Sequence, residues 1–296
     1  MRAADIAAAL GGAHREGRDW RCICPIHCGG RLTLRDGRER LLIRCWAGCN
    51  SVEVFAELRR RGLTGRTEGA RSAPISVRDE DRADAARRIG LARRIWDAAR
   101  DARRTPVVRY FAGRGIARSV PSSLRWAPAL RRPDGTYGSG MVARVDNLDG
   151  ELIGVHRTWL TRHAAGNWRR RDRAMLGRAA GGAVRLAPAG KTLLVGEGVE
   201  TVLAAMQATG LPGWAALSTS GMVALTLPLV VGQVIVLADH DANGAGERAA
   251  RAAAKRWLAE GRRVRIALPP EAGTDMADVL AGRDCARGAE VGDVAA

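Results

Sequence analysis

Leu193-Leu194-Val195-Gly196-Glu197-Gly198-Val199-Glu200-Thr201 is the stretch that decides the fold. The apolar run at 192–195 reads as a buried strand, which Gly196-Glu197-Gly198 stops. Val199, Val202, Leu203 and Met206 then recur at helical spacing. A strand that breaks through glycines into a helix places Glu197 at the strand's carboxyl end, where open α/β sheets bind their ligands. A second such junction follows, where Val234-Ile235-Val236-Leu237-Ala238 runs into Asp239-His240-Asp241-Ala242-Asn243-Gly244. Strands are expected at 192–195, 214–217, 234–238 and 264–268, with helices between them, the longest at 245–260. That alternation predicts an α/β fold: a doubly wound parallel sheet with helices on both faces.

Three carboxylates at one sheet edge repel one another, and a cation among them keeps them ionised. Mg²⁺ or Mn²⁺ suits such oxygen donors. Acidic residues also favour helix N-termini, so either junction alone is ambiguous. Together, in strand–turn–helix context, they resemble the Toprim domain. This is the metal-dependent catalytic module shared by bacterial-type primases, topoisomerases and some nucleases. Its pattern is a glutamate after the first strand and Asp-x-Asp after a later one. The resemblance implies Asp239 and Asp241 as metal ligands, and Glu197 as general base or shared ligand with Glu200 assisting. Asp275-Met276-Ala277-Asp278 resembles the late acidic motif of Toprim primase-like relatives, and Asp275 is either a further Mg²⁺ ligand or an N-cap.

The chain has 296 residues and a formal net charge of +17, carried almost wholly by arginine because Lys191 and Lys255 are the only lysines. Such an excess points to a polyanionic partner, nucleic acid before others. The length suggests about two domains. Asp5 interrupts the amino-terminal alanine-rich stretch, so it does not read as a secretory signal. The apolar segment 225–237 contains Pro228, Gly232 and Gln233 and is too short to span a bilayer. A cytoplasmic, nucleoid-associated protein with no membrane partner is expected.

Five of the six cysteines crowd between Cys22 and Cys49, which in a reducing compartment favours metal over disulfides. Alternating residues at 32–34 and 41–43, joined through Asp36-Gly37, predict a hairpin between two knuckles. The first knuckle is Cys22-Ile23-Cys24-Pro25-Ile26-His27-Cys28 and the second is Cys45-Trp46-Ala47-Gly48-Cys49. Four such donors favour a structural Zn²⁺, and spacing alone leaves Cys22 and Cys28 in competition with Cys24 and His27. The segment resembles the zinc-binding domain of bacterial and phage primases, where a Cys-Pro-x-His knuckle faces a later cysteine pair. That resemblance implies Cys24, His27, Cys45 and Cys49 as the ligands. A short helix at 1–10 ends at Gly11-Gly12, and another at 50–61 ends at Gly62. Trp20 and Trp46 suit either the core of this small module or stacking on bases.

Residues 64–82 carry glycine, serine, proline and charge without periodicity and read as a flexible linker. A helix is expected over 83–104, and a short one after Thr105-Pro106, an N-cap followed by a first-turn proline. Two strands around Asp149-Gly150 form a hairpin. Arg157 lies on the second, and Trp168-Arg169-Arg170-Arg171-Asp172-Arg173 follows as a dense cationic cluster. Arginine forks suit phosphates and tryptophan suits bases, so these residues are candidate nucleic-acid contacts, against the alternative of a solvated loop. The stretch also resembles the region before Toprim in phage and mobile-element primase-like proteins, through Gly154-Val155-His156-Arg157-Thr158.

Five segments are thus expected: a zinc module (1–63), a linker (64–82), a basic α+β region (83–188), a Toprim catalytic domain (189–282) and a disordered tail (283–296). The resemblance implies a DNA primase-like nucleotidyltransferase that makes RNA primers on single-stranded DNA in phage or mobile-element replication. It would take a DNA template and ribonucleoside triphosphates. The chain shows no helicase motor, so a replicative helicase would be a separate partner. A Toprim nuclease using the same carboxylates, and a non-catalytic nucleic-acid-binding protein, are the alternatives. Gly190-Lys191-Thr192 is not a P-loop, because position 185 is Arg rather than Gly and the tripeptide precedes its strand.

Overall fold

A computed structural model describes residues 2–17, 19–26, 28, 32–37, 41–46, 49, 51–64, 75–164, 166–239, 244–269, 273, 279 and 290–293. The chain forms two compact units, Met1–Pro74 and Ile75–Ala296.

The first unit runs α1 (Ala3–Leu10), β1 (His14–Glu16), β2 (Asp19–Cys22), β3 (Leu32–Asp36), β4 (Leu41–Cys45) and α2 (Ser51–Arg60). Its strands make an antiparallel sheet in sequence order. Alternation sends Cys22, Leu32 and Leu34 inward, where Ala3, Ile6 and Ala7 of α1 and Val54 and Leu58 of α2 close a small core. The opposite face carries Arg21, Thr33 and Arg44, paired side by side across three strands. Trp46 stands beside them, 46% exposed, with its indole N–H donating to Thr33 at 2.8 Å and the Arg44 guanidinium 4.0 Å from its ring.

The second unit opens with α3 (Ile75–Ala98), β5 (Arg100–Asp101), α4 (Pro106–Ala112), β6 (Leu124–Arg131), β7 (Tyr137–Asp146), β8 (Leu152–Arg162) and β9 (Trp168–Gly177). The helix begins at Ile75, inside the segment expected as linker, because 75–82 contains no glycine or proline to stop it. It ends at Ala98, short of the expected 104, where Arg100–Asp101 pair with β6 instead. Thr105 caps α4 by accepting from the Val107 N–H at 3.3 Å, with Pro106 in the first turn. The five strands form an antiparallel sheet, and the arginine cluster is its last strand rather than a loop.

Then follow β10 (Val184–Arg185), β11 (Thr192–Gly196), α5 (Val199–Thr209), β12 (Gly213–Ala215), α6 (Thr219–Ala224), β13 (Gln233–Leu237), α7 (Ala245–Ala259), β14 (Arg263–Leu268) and β15 (Glu290–Asp293). The sheet order is β10-β12-β11-β13-β14-β15, with four parallel central strands and an antiparallel strand at each edge. Leu194 and Leu237 face α5, while Leu193, Val195, Val234 and Val236 face α6 and α7. Helices therefore cover both faces, which is the expected doubly wound α/β class. Part of the expected disordered tail is ordered: Glu290–Asp293 pair with β14. Such pairing uses main-chain groups on an open edge and needs no hydrophobic pattern in the added strand.

The antiparallel sheet packs one face on α3 through Trp159, Val142 and Trp96, and the other on α4 and α5 through Met141, Ala143, Leu160 and Leu203. Gln207 of α5 bonds to the Ala117 N–H and the Gly115 carbonyl, and Arg118 reaches the Met206 carbonyl. The basic region and the parallel sheet thus share one core. No helix among the described residues is long and apolar enough to cross a membrane.

Candidate active site and metal centre

β11 and β13 are adjacent and parallel, with Gly196 opposite Leu237, so Glu197 and Asp239 leave the same sheet edge side by side. Glycine is demanded at both junctions. A Cβ on Gly196 would stand 2.9 Å from Val202 Cγ2, and one on Gly246, in the first turn of α7, would stand 2.5 Å from the Asp239 carbonyl oxygen. Leu217 holds a φ of +67°, costly for a side chain with a Cβ, and its N–H donates to the Glu197 carbonyl at 2.9 Å. That strained turn fixes the backbone that presents the glutamate. Glu197 and Asp239, both half-buried oxygen donors at one edge, fit a hard divalent cation. Asp241 and Asp275 lie outside the described residues.

Opposite this edge stand His156, Thr158, Arg170 and Arg173, which line one cleft with Glu197, Gly198, Val199, Glu200 and Leu217. Simple alternation would put Arg170 and Arg173 on opposite faces of β9. A bulge prevents this: Trp159 pairs with Asp172 and Leu160 with Arg170, so Arg171 is the extra residue. Both arginines consequently share the face of His156 and Thr158. Arg169 and Arg171 are exposed on the same strand.

Two expected nucleic-acid contacts have other places. Arg157 lies on the opposite face of β8, 5.1 Å over the Trp159 ring, and donates to the Arg131 carbonyl at 3.1 Å. Burial, with the like charge of Arg88 on α3, works against its charge. Trp168 packs edge-on against Trp126, ring centroids 6.1 Å apart, as part of the core. Their spacing told of charge and aromaticity but not of facing.

If single-stranded DNA is the polyanionic partner that the charge of +17 points to, the salt dependence of its binding should separate these arginines. Each cleft arginine that meets a phosphate contributes roughly 0.7 to the slope of log affinity against log salt. Arg170→Gln and Arg173→Gln together should flatten the slope by roughly 1.4, while Arg157→Gln should leave it unchanged. Equal slopes for wild type and the double variant would exclude the cleft as the binding surface.

Glu200, expected to assist catalysis, is 8% exposed and accepts a 2.6 Å hydrogen bond from the Tyr110 hydroxyl of α4. Tyr110 and His156 carry no site role in the sequence alone: 90 residues separate Tyr110 from Glu200 and no local pattern joins them, while His156 stands out only as part of the stretch 154–158. Burial brings the His156 imidazole down to about 4, against a smaller opposing pull from Glu200, and its Nδ1 is buried without a hydrogen-bond partner. The ring is therefore neutral at pH 7. As pH falls through the ordinary histidine range the unfolded chain takes the proton first. The folded state then loses stability progressively between about 6.5 and 4. In metal-free buffer, His156→Gln removes this loss, on the order of 2 kcal/mol between pH 7.5 and 4.5. Urea midpoints at the two pH values, identical in their change for both proteins, would refute that origin.

In the first unit, Cys24, Cys45 and Cys49 place their sulfurs within 4.8 Å of one another. Sulfurs this close can share a tetrahedral ion at about 2.3 Å each. Burial pushes the Cys49 thiol up to about 12, and the neighbouring Cys45 and Cys24 add to the shift. A cation reverses that balance, because it stabilises the thiolates that otherwise repel. Cys22 points into the core, donates to the Leu32 carbonyl at 3.9 Å and is pushed up to about 11 by burial, so it stands outside the cluster. Cys28 is exposed, its backbone N–H bonded to the Cys24 carbonyl at 2.9 Å. His27 lies outside the described residues.

Residues 192–284 match the family model described as Toprim domain, and residues 86–186 match a domain of unknown function, DUF7146. No curated protein matches the chain significantly. Among solved structures, the zinc-binding and RNA polymerase domains of the Aquifex aeolicus primase are similar at 15% identity, covering 95% of this chain and 80% of that one, with a TM-score of 0.43. A DNA primase domain from Pseudomonas aeruginosa is 17% identical, covering 66% and 75%, with a TM-score of 0.41. A DnaG primase catalytic domain bound to single-stranded DNA is 16% identical, covering 67% and 78%, with a TM-score of 0.43.

Proposed function

We propose, from the premise that residues 192–284 carry a Toprim domain, that the chain is a primase-like nucleotidyltransferase joining ribonucleotides on single-stranded DNA. The observation that carries this reading is one cleft with two opposed walls. Glu197 and Asp239 follow the carboxyl ends of neighbouring parallel strands, and Arg170 and Arg173 line the cleft with Glu197 from the antiparallel sheet. An acidic edge suits the reacting hydroxyl and cations suit the phosphates it attacks.

In this reading Glu197 takes the proton from the 3′-hydroxyl of the growing primer, and that oxygen bonds to the α-phosphorus of the incoming ribonucleoside triphosphate as the bond to the β-phosphate breaks and pyrophosphate leaves. Arg170, Arg173 and the Thr158 hydroxyl hold and orient the phosphates. Mg²⁺ or Mn²⁺ bound by Asp239 and Asp241, with Asp275 as a further donor, would neutralise charge on the triphosphate. The neutral His156 can offer a ring nitrogen to a phosphate oxygen or hydroxyl.

The zinc module, residues 1–63, would hold Zn²⁺ through Cys24, His27, Cys45 and Cys49 and contact template with Arg21, Arg44 and Trp46. The segment 64–82, with 75–82 as the first turns of α3, would tether it to the basic region (83–188) and the catalytic domain (189–282). A role in phage or mobile-element replication, in the cytoplasm at the nucleoid and beside a separate helicase, completes the proposal. The test is purified protein with single-stranded DNA, Mg²⁺ and labelled ribonucleotides, scored for synthesis and for cutting. Cutting without synthesis would replace this reading by a nuclease, and neither activity would leave a binding protein.

A further inference from the structure

The buried contact between Tyr110 and Glu200 has a consequence for the arginines across the cleft. Tyr110 is 2% exposed, and its ring packs 5.5 Å from that of Phe111 within the core that joins α4 to α5. Its hydroxyl meets Glu200 Oε1 at 2.6 Å. The other carboxylate oxygen folds back along the first turn of α5, 3.9 Å from where a Cβ on Gly198 would stand. Burial and the Glu200 charge both oppose ionisation of Tyr110, so the hydroxyl remains a donor.

Glu200, Arg170 and Arg173 line the same cleft. A carboxylate and a guanidinium at such a site would ordinarily pair, because charge-assisted hydrogen bonds outweigh those from a neutral hydroxyl. Among the described residues, Glu200 forms no ion pair, and neither do Arg170 and Arg173. The acid is held by a phenol, while two guanidinium groups lining the same cleft form no ion pair among the described residues.

We infer that Tyr110 is a positioning residue: its hydroxyl holds Glu200 back from Arg170 and Arg173, which keeps both guanidinium groups open to a phosphate group beside Glu197. The inference rests on the reading of this cleft as a phosphoryl-transfer site and adds the residue that keeps its cationic wall from being neutralised internally. It predicts effects of opposite sign. Tyr110→Phe keeps the ring and every charge but releases Glu200 to swing onto an arginine and compete with phosphate. Glu200→Gln keeps the shape and removes the competitor.

The experiment is calorimetric titration of the full chain with inorganic tripolyphosphate, and with ATP and a short oligothymidylate as separate arms. Tyr110→Phe should weaken tripolyphosphate binding by about three- to tenfold. Glu200→Gln should bind as tightly as wild type or more tightly, and the double variant should match Glu200→Gln alone. The arm in which Tyr110→Phe shows the same loss, ATP or oligonucleotide, identifies the source of the phosphate. A merely structural contact would weaken binding in all three variants, and that result overturns the inference, as does an unchanged Tyr110→Phe. Should Tyr110→Phe fail to fold by circular dichroism, Glu200→Gln still decides, since weaker binding there is incompatible with a restrained competitor. Wild type that binds no tripolyphosphate refutes the phosphate site directly. Primer synthesis by wild type is scored separately, so failure of the proposed function and failure of the Tyr110 role give different results.

Discussion

On the proposed primase reading, Glu197→Gln should abolish primer synthesis while leaving DNA binding intact. The substitution removes the charge and the base but nearly preserves shape, and general-base loss alone costs roughly 10²- to 10⁴-fold. Asp241→Asn should give a similar loss by a different route: in that reading it removes an oxygen ligand from an acidic group whose self-repulsion a metal relieves. Without metal, its thermal midpoint should therefore equal or slightly exceed that of wild type, while the stabilisation produced by Mg²⁺ shrinks. Labelled ribonucleotide incorporation, with melting curves at several Mg²⁺ concentrations, measures both. A nuclease would show wild-type cutting that both variants lose, with no primer in any lane. Primer synthesis persisting in both variants would refute the site assignment itself.

The second large effect belongs to the first unit, whose core is a handful of side chains from two short helices and a four-stranded sheet. So little apolar burial hardly balances the chain entropy of folding, and a structural Zn²⁺ in such modules supplies apparent binding free energies of about 10–16 kcal/mol. About one Zn²⁺ per chain is expected by elemental analysis. Cys45→Ser or Cys49→Ser should release it and unfold residues 20–50, seen as protease cutting there. The melting transition of residues 75–296 should not move. Cys22→Ala should retain the metal, because that thiol points into the core and donates to the Leu32 carbonyl. Cys285→Ser should also retain it. Reduced, freshly purified protein free of zinc would end the metal-module reading.

Much of the second unit was legible because its signals are local. The strand at β11, the glycine break and the α5 helix are written in consecutive residues, and so are the β7–β8 hairpin and the Thr105-Pro106 helix start. Hydrophobic period and turn chemistry act over a few residues, so a single chain displays them. The crowding of five cysteines into two short knuckles was legible for a similar reason, but spacing did not choose among them: Cys24, rather than Cys22 or Cys28, meets Cys45 and Cys49 in the folded unit.

What sequence could not display is facing and partnership. Arg157 and Arg173 look alike in a string, yet one lies over Trp159 on the α3 side and the other lines the cleft. The bulge at Arg171 exchanges faces along β9, and a register shift is a property of the paired strands rather than of either one. Strand β15 joins the sheet through main-chain groups that every residue possesses, so nothing in Glu290–Asp293 announces it. Trp168 carries the ring of a stacking residue and spends it against Trp126.

By itself, then, the sequence determined the α/β class, the strand ends that bear Glu197 and Asp239, and the crowding of thiols near the amino terminus. Each of these follows from periodicity or spacing along the chain. Only the tertiary structure decided that Glu200 is held by Tyr110, that His156 is buried neutral, and which arginines face the carboxylates. Those properties depend on dielectric and direction, which exist only once distant segments have packed into one core.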